Sequence, residues 1–250
     1  MFIDTHAHLS MGKLKGKEKE TVQNALNANI WIIIDVGADM ESSLTAFENS
    51  KTFENVYFSA GIHPSESWKN IDWDIIEKLI QNDKCVAIGE CGFDFYYDWY
   101  NEQKQEEVFI KQIELSKKYD LPLIIHTRDA GDKTLSMLKK YEVTNFVIHC
   151  FTETQKFAEE VLKLWWILSF TGIITYNKTE EIQNVVKTTP LEKIMIETDC
   201  PYLAPKSVRG SVNEPKNIPE IALKVSEIKD ILLNEVEEST TQNAKTFFNI

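Results

Sequence analysis

The amino-acid sequence predicts an α/β fold, a single (β/α)8 TIM-type barrel that occupies residues 1–250 as one domain. The first reason is that short apolar runs alternate eight times with longer amphipathic segments, a pattern typical of parallel sheets with crossover helices. The second reason is that chemically active side chains occur where several different runs end. An open sheet would leave the outermost of these ends roughly 20–30 Å apart, whereas a closed barrel turns them all toward one space.

The apolar runs are interpreted as strands because most are continuous and rich in β-branched residues. Parallel strands that are buried on both faces usually have this composition. The chain also lacks the G-x-G-x-x-G fingerprint of dinucleotide-binding open sheets, which favours the closed barrel. The predicted strands are residues 1–6, 30–37, 56–63, 85–90, 121–126, 146–150, 167–172 and 194–198.

The segments between the runs are interpreted as helices because their apolar residues recur at helical spacing. Asp39 stands directly before the second segment and is expected to cap that helix. Residues 201–219 hold four of the seven prolines and are expected to form a functional loop. The predicted helices are residues 17–29, 40–50, 72–82, 102–119, 130–141, 154–164, 180–188, 218–229 and 234–249.

The charge balance excludes one class of nucleic-acid binder. The chain carries 27 basic and 39 acidic side chains, a formal net charge of -12. Proteins that coat nucleic acid by general electrostatics need a basic face, but a local metal site that grips one phosphate does not.

The four cysteines form no C-x-x-C pair, and no run has the features of a signal peptide or a membrane span. We therefore expect a cytoplasmic protein with reduced thiols, no membrane association and no obligate protein partner.

The side chains at the strand ends are those that bind metal ions. His6 and His8 share one face of the first strand because side chains alternate along a strand. Without His63, the four other imidazoles and the two carboxylates are still more ligands than one tetrahedral ion uses, so they indicate two ions, a bridging carboxylate and a hydrolytic reaction. Mixed nitrogen and oxygen ligation favours Zn, Mn or Co over Mg alone. The residues at strand ends are His6, His8, His63, Glu90, His126, His149 and Asp199.

Eight stretches, in one order along nearly the whole chain, resemble the TatD family of metal-dependent deoxyribonucleases, which belongs to the amidohydrolase superfamily. They are Phe2-Ile3-Asp4-Thr5-His6-Ala7-His8, Gly61-Ile62-His63-Pro64, Ala87-Ile88-Gly89-Glu90-Cys91-Gly92-Phe93-Asp94, Leu123-Ile124-Ile125-His126-Thr127-Arg128, His149-Cys150-Phe151, Glu197-Thr198-Asp199-Cys200-Pro201-Tyr202-Leu203-Ala204-Pro205, Arg209-Gly210 and Asn213-Glu214-Pro215.

This resemblance implies a TIM-type barrel with a two-metal site. It also implies cleavage of phosphodiester bonds in DNA, typically by 3′-to-5′ exonuclease action with Mg or a similar divalent ion. The family's usual Mg and the nitrogen-rich ligand set disagree, so the metal (Mg, Mn, Zn or Co) stays open. Carried over by position, one ion is held by His6, His8, Glu90 and Asp199, and the second by Glu90, His126 and His149, with Glu90 as the bridge.

Two carboxylates are predicted to be catalytic. Asp199 is a candidate ligand, general base or both, and Glu90 is the candidate bridge.

His63 is a candidate contact for a substrate phosphate or leaving group, with a structural turn before Pro64 as the alternative. Asp94 either supports a ligand, binds substrate or caps a turn. Asp4 lies one layer deeper than His6 and is expected to support the ligands or fill the barrel core.

Positive and aromatic side chains near the strand ends are candidate substrate contacts. Arg128 lies two residues beyond His126, where it can hold a phosphate with two hydrogen bonds or pair with an acid at the barrel mouth. Lys206 and Arg209, in the proline-rich loop, either bring positive charge over the site or belong to a loop that folds on itself. An aromatic cluster after the fourth strand either stacks on nucleobases or packs over the barrel rim. Its members are Phe93, Phe95, Tyr96, Tyr97, Trp99 and Tyr100.

Three cysteines, Cys91, Cys150 and Cys200, directly follow candidate ligands. Strand alternation directs each away from its neighbour, so we interpret them as packing residues.

The functional hypothesis is a two-metal phosphodiesterase that acts on DNA ends or single strands, with metal-bound hydroxide as the nucleophile. The alternatives are an amidohydrolase-type enzyme for a small amide, ester or phosphoester, and a non-catalytic barrel that binds metal or nucleotide.

Overall fold

Eight parallel strands pair in chain order in this computed structural model, which describes residues 1–97, 101–164 and 166–250. The predicted residues Trp99 and Tyr100 therefore lie outside the described residues. The strands are β1 (Phe2–Ala7), β2 (Ile30–Val36), β3 (Val56–Ala60), β4 (Cys85–Asp94), β5 (Leu123–Arg128), β6 (Phe146–Ile148), β7 (Ile167–Phe170) and β8 (Ile194–Ile196).

The first and last strands meet and close the sheet into a barrel. A parallel bridge joins Ala7 to Cys200, and the backbone N–H of Asp199 donates to the carbonyl of His6 at 2.9 Å. Eight parallel strands with interleaved helices confirm the predicted (β/α)8 TIM-type barrel. All these strands point the same way, so their carboxyl ends face one common mouth.

Helices follow the strands and cover the outside of the barrel. Asp39 caps α2 as predicted, because its carboxylate accepts from Ser42 N at 2.9 Å and the Ser42 hydroxyl accepts from Asp39 N at 2.9 Å. The helices are α1 (Glu18–Asn27), α2 (Met40–Thr52), α3 (Trp73–Ile80), α4 (Glu102–Tyr119), α5 (Gly131–Lys140), α6 (Gln155–Lys163), α7 (Glu180–Thr188), α8 (Ile218–Lys229) and α9 (Leu233–Phe248).

The last helix covers the seam where the barrel closes. Ile3 of β1 and Met195 of β8 are buried in one apolar cluster with Phe247 and Phe248 of α9. This packing removes apolar surface of both seam strands from water, which is the main favourable contribution to folding. Among the described residues, no helix combines the length and the apolar character that crossing a membrane requires.

Five strands (β2, β3, β6, β7 and β8) end one to three residues earlier than predicted, and after β6 and β8 carboxylates accept hydrogen bonds from the backbone. The prediction extended the sixth strand to Cys150 and the eighth to Thr198, but β6 ends at Ile148 and β8 at Ile196. The N–H of Cys150 donates to Glu197 at 2.6 Å, and the N–H of Thr198 donates to Asp4 at 2.9 Å. A backbone donor bound to a side chain is lost to the ladder, so regular pairing stops there.

The fourth strand is longer than predicted and contains an irregularity. Its pairing with β5 shifts register between Ile88 and Cys91 and then continues to Asp94. Gly89 has a φ of +135°, and a Cβ there would lie 2.5 Å from the carbonyl oxygen of Ile124, so only glycine fits. The irregularity redirects the next side chain, Glu90, as β-bulges near active sites commonly do. Glu90 is therefore a mid-strand residue, not the strand end that the pattern indicated.

We predict that Lys84→Met lowers the free energy of unfolding by about 2 kcal/mol, since hydrogen bonds to a charged group contribute about that much. The Lys84 ammonium donates to the carbonyls of Ser50 at 2.7 Å and Phe53 at 3.0 Å, and so stabilises the carboxyl end of α2. Urea unfolding of wild type and variant measures the difference. Lys78→Met, at an exposed position of α3, is the control and should change stability little. Equal losses in the two variants would contradict this role.

Candidate metal centre

Seven side chains from different strands converge at the barrel mouth. All are buried or partly buried. They are His6 and His8 at the end of β1, His63 after β3, Glu90 in β4, His126 in β5, His149 after β6 and Asp199 after β8.

Their ligand atoms fall into three overlapping groups that could hold a metal ion, and within each group the atoms lie within 4.8 Å of one another. The first is His6 with His149 and Asp199, the second is His6 with His8 and Glu90, and the third is His63 with Glu90 and His126.

Glu90 stands at the centre with its two oxygens facing different histidines. Oε1 lies 2.8 Å from His149 Nε2 and 2.9 Å from His126 Nδ1. Oε2 lies 3.4 Å from His6 Nε2 and 3.6 Å from His8 Nε2. A carboxylate whose two oxygens face separate pairs of imidazoles has the arrangement of a bridging ligand.

Asp199 lies on the Oε2 side of Glu90. Its Oδ1 is 3.5 Å from His8 Nε2 and 3.8 Å from His6 Nε2. Burial works against the charge of Asp199, but the hydrogen bond with His8 and the charges of His6 and His8 outweigh it and lower the pKa. Asp199 is therefore an ionised carboxylate at neutral pH, as a metal ligand or proton acceptor must be.

The hydrogen bonds on the far side of three imidazoles show where their protons lie. His8 Nδ1 is 2.8 Å from the Val36 carbonyl, His126 Nε2 is 3.3 Å from Asp94, and His149 Nδ1 is 3.2 Å from Glu197. These oxygens only accept, so each outer nitrogen carries a proton. In a neutral ring the other nitrogen, which faces Glu90, then has a lone pair for a metal.

His63 has the opposite proton arrangement. Its Nδ1 accepts from the backbone N–H of Ser65 at 3.1 Å, so Nδ1 carries the lone pair. Burial lowers the pKa of His63 to about 3, so the ring is neutral and Nε2 carries the proton. His63 Nε2 lies 3.5 Å from Glu90 Oε1. The geometry makes His63 a hydrogen-bond donor beside the metal groups rather than a ligand through Nε2.

The donor set fits divalent metal ions. The facing nitrogens of His6 and His8 are 3.2 Å apart, and those of His126 and His149 are also 3.2 Å apart. Lone pairs that converge at this distance repel one another unless a proton or a cation lies between them. Together with the carboxylates, these pairs give the nitrogen and oxygen ligation that suits Zn, Mn or Co.

Negative charge near the imidazoles changes their proton affinity. Burial works against a charged His8, but the hydrogen bond with Asp199 and the charges of Glu90 and Asp199 raise its pKa to about 9. Burial and the charge of His149 lower the pKa of His6. Burial opposes the charge of Glu90, but the charge of His149 and hydrogen bonds from His126 and His149 hold its pKa well below the ordinary value.

Glu197 is a supporting residue that the sequence analysis did not single out. Its Oε1 contacts His149 Nδ1, and its Oε2 accepts from the Ser169 hydroxyl at 2.6 Å. Glu197 stands two residues before Asp199, and that spacing in an extended segment was the available signal. A buried carboxylate behind a ligand histidine orients the ring and makes it more basic.

Asp4 supports the same end of the barrel, as expected. Its carboxylate accepts from Thr198 N at 2.9 Å and contacts the Thr198 hydroxyl at 2.5 Å. Burial raises the pKa of Asp4 to about 8. Thr198 directly precedes Asp199, and its carbonyl accepts from Asn213 Nδ2 at 2.8 Å. The proline-rich loop is thereby attached to the backbone that positions Asp199.

Asp94 is placed as a supporting residue. One oxygen contacts His126, and the other accepts from Tyr96 N at 3.0 Å. The guanidinium of Arg128 lies over the ring of Tyr96, with Cζ 3.5 Å from the ring centroid. The guanidinium of Arg209 lies over the ring of Tyr176 at 4.2 Å. The structure thus places both arginines on aromatic rings at the mouth.

The cysteines are not part of the candidate ligand groups in the described part of the chain. Burial raises the pKa of the Cys91, Cys150 and Cys200 thiols well above the ordinary value. Neutral thiols are poor ligands, which agrees with their interpretation as packing residues.

We predict that the metal-free protein releases protons when it binds Zn²⁺ at pH 7. His8 is largely protonated there because its pKa is about 9, and a ligand imidazole must be neutral. Metal affinity should therefore rise as pH increases toward 9 and fall as pH decreases. Calorimetric titration in buffers of different ionisation enthalpy counts the protons. Binding enthalpies that do not depend on the buffer would contradict the expectation.

We also predict that Glu197→Gln weakens Zn²⁺ binding about 10- to 100-fold, the usual cost of losing such a partner. The amide keeps the shape of the side chain but removes the charge behind His149. Competition with a chromophoric chelator measures the dissociation constant. Glu192→Gln, which changes an exposed carboxylate near the amino end of β8, is the matched control. Equal affinities in the two variants would rule out this supporting role.

Comparisons with known proteins show that this chain is similar to hydrolases. A family model described as TatD related DNase matches residues 3–249. The metal-dependent hydrolase YabD of Bacillus subtilis (strain 168) is 35% identical over 254 residues, with 100% of both chains covered. The 3′-5′ ssDNA/RNA exonuclease TatD of Klebsiella pneumoniae (strain 342) is 28% identical over 257 residues, covering 99% of this chain and 98% of that protein.

A solved structure has the same architecture. YJJV of Escherichia coli K12, described as a TatD homologue, superimposes with a TM-score of 0.93 at 27% identity and covers 100% of this chain and 98% of that chain. The family match includes every candidate ligand described above. With its barrel, its metal-binding groups and a family match over nearly its whole length, the chain belongs to the TatD family of metal-dependent hydrolases.

Proposed function

We propose that this protein hydrolyses phosphodiester bonds in DNA with two divalent metal ions. The observation that carries this proposal is the position of Glu90, whose two oxygens face separate pairs of imidazoles. In this proposal one ion is held by His6, His8, Glu90 and Asp199, and the other by Glu90, His126 and His149.

Divalent ions held by these residues would polarise the phosphodiester and lower the pKa of a water molecule. Asp199 is the proposed acceptor of the proton from that water, because its carboxylate is ionised and lies beside the imidazole of His8. Glu90 holds the two halves of the site at a fixed separation. Both are therefore catalytic residues in this proposal.

His63 and Asp94 take different substrate roles in the proposal. The protonated Nε2 of His63 lies beside Glu90 Oε1, where it is suited to donate to a phosphate oxygen. Asp94 acts through His126, which it orients, and through the backbone of Tyr96. Asp94 is accordingly a positioning residue rather than a direct substrate contact.

The substrate class is supported by chemistry and by one relative. A pair of divalent ions offsets the charge of an attacked phosphodiester, which an acidic protein would otherwise repel. The Klebsiella relative is named as an exonuclease for single-stranded DNA and RNA with 3′-to-5′ polarity. We propose DNA ends or single strands as the substrate of this chain and the same polarity of digestion.

We predict that His126→Ala and Asp199→Asn each lower kcat on a single-stranded oligonucleotide by more than about 100-fold, since loss of a ligand or general base costs at least that much. Metal removal with a chelator should abolish activity, and Mn²⁺ or Zn²⁺ should restore it. Release of labelled nucleotides from either end of the oligonucleotide gives the rate and the polarity.

Glu192→Gln is the control and should retain the wild-type rate, because this exposed residue lies near the amino end of β8. Circular dichroism verifies that all variants are folded. A parallel panel of small amides, esters and lactones tests the other chemistry of this barrel. Hydrolysis of those compounds without hydrolysis of any oligonucleotide, or full activity in both site variants, would overturn the proposed function.

A further inference from the structure

The two arginines of this chain share an unusual environment. Arg128 and Arg209 are its only arginines, whereas the other 25 basic side chains are lysines. Arg128 is the last residue of β5 and Arg209 lies in the loop between β8 and α8, so both are at the mouth end of the barrel. Each guanidinium lies over a tyrosine ring, Arg128 on Tyr96 and Arg209 on Tyr176. In the described ranges, neither forms an ion pair with a carboxylate.

The Arg128–Tyr96 pair is connected to the candidate ligand His126 through Asp94. Arg128 is two residues beyond His126 on β5 and pairs in register with Asp94 on β4. Tyr96 donates its backbone N–H to that same Asp94, which contacts His126. The Tyr96 side chain is 54% exposed, so the pair borders solvent above the candidate ligands.

The Arg209–Tyr176 pair is on another part of the rim. Tyr176 follows the short helical turn after β7, and its hydroxyl donates to the carbonyl of Ala204 at 2.8 Å. This bond joins the loop after β7 to the proline-rich loop that carries Arg209.

Two lysines near the mouth are neutralised by carboxylates, whereas neither arginine has such a partner in the described part of the chain. Lys133, in the first turn of α5, lies 2.9 Å from Glu102 and 2.6 Å from Glu106. Lys69, after β3, pairs with Asp39 at 2.8 Å. A tyrosine ring holds a guanidinium flat without cancelling its charge. The edge of the guanidinium then keeps N–H donors that match a phosphate.

We propose that the pairs Arg128–Tyr96 and Arg209–Tyr176 are two phosphate-binding subsites, on either side of the metal centre, for the backbone of single-stranded nucleic acid. This inference rests on the proposed function and specifies how the substrate is held. Arg128 ends β5 and Arg209 lies in the loop after β8, so the two pairs are separated along the rim of the barrel. That separation favours two phosphates of one strand over a single phosphate.

This arrangement explains how a chain with a net charge of -12 binds a polyanion. General attraction is absent, so affinity depends on the ions and on a small number of uncancelled positive groups. The exposed face of Tyr96 can also stack on a base next to the held phosphate. Small phosphodiesters, which have one phosphate, need neither subsite.

The test uses the full chain reconstituted with Mn²⁺ and a fluorescein-labelled phosphorothioate oligothymidylate, which resists hydrolysis. Fluorescence anisotropy gives the dissociation constant over a range of salt concentrations. Arg128→Gln and Arg209→Gln should each weaken binding about tenfold at low salt and reduce the slope of log K against log salt by about 0.7, the value for one phosphate contact on a single strand. The double variant should lose about twice as much slope.

Lys133→Gln is the matched control, because it removes the same charge at the same end of the barrel from an ammonium that is already paired. It should leave the slope unchanged. Tyr96→Phe should bind like wild type, whereas Tyr96→Ala should weaken binding because the guanidinium loses its support. If Lys133→Gln loses as much slope as the arginine variants, the loss arises from the change in net charge alone, and the inference is overturned.

Hydrolysis of bis-p-nitrophenyl phosphate separates this inference from the proposed function. Wild type and the control Lys133→Gln should hydrolyse this one-phosphate substrate with equal kcat/KM. If wild type hydrolyses it and the oligonucleotide slopes are unchanged in both arginine variants, the subsites are wrong and the function stands. If the slopes fall as predicted but wild type cleaves no phosphodiester, the function is wrong and the chain is a nucleic-acid binder. Wild type that does not bind the oligonucleotide overturns the inference directly.

Discussion

The carboxylate of Glu90 is the constraint on which the arrangement of the mouth depends. It is buried among imidazoles that come from four strands and strand ends, and its two oxygens face different pairs of rings. Burial of a charge is costly unless partners compensate it. Its position follows from the register shift in β4, which requires Gly89 because a side chain there would collide with Ile124. The position of the candidate bridging carboxylate thus depends on the backbone irregularity in β4.

The hydrogen bonds behind the imidazoles distinguish ligands from neighbours. His8, His126 and His149 each have an outer nitrogen that donates to a carbonyl or carboxylate, which leaves the inner nitrogen free for a metal. His63 accepts a hydrogen bond from Ser65 instead, so its inner nitrogen carries a proton. Residue type is the same in all four cases. The difference in role arises from the backbone and side chains behind each ring.

Charged groups of both signs are concentrated at particular places around the barrel mouth. The protein is acidic as a whole, yet negative groups collect at the metal centre, where cations would balance them. The proposed phosphate subsites use guanidinium groups that rest on Tyr96 and Tyr176 rather than on carboxylates. Aromatic support preserves positive charge near the ions without a basic surface. A site of this kind would select a substrate by the spacing of its phosphates rather than by general attraction.

The sequence by itself determined the barrel and the candidate ligand set, because apolar periodicity and the residue types at the ends of apolar runs are visible in the sequence alone. It did not place Glu90 within the longer β4, because a register shift depends on how two strands pair. It also missed Glu197 and left Arg128 between a phosphate and an acid, whereas the guanidinium rests on Tyr96. Only the tertiary structure decided these roles, since each depends on a partner from another strand or loop.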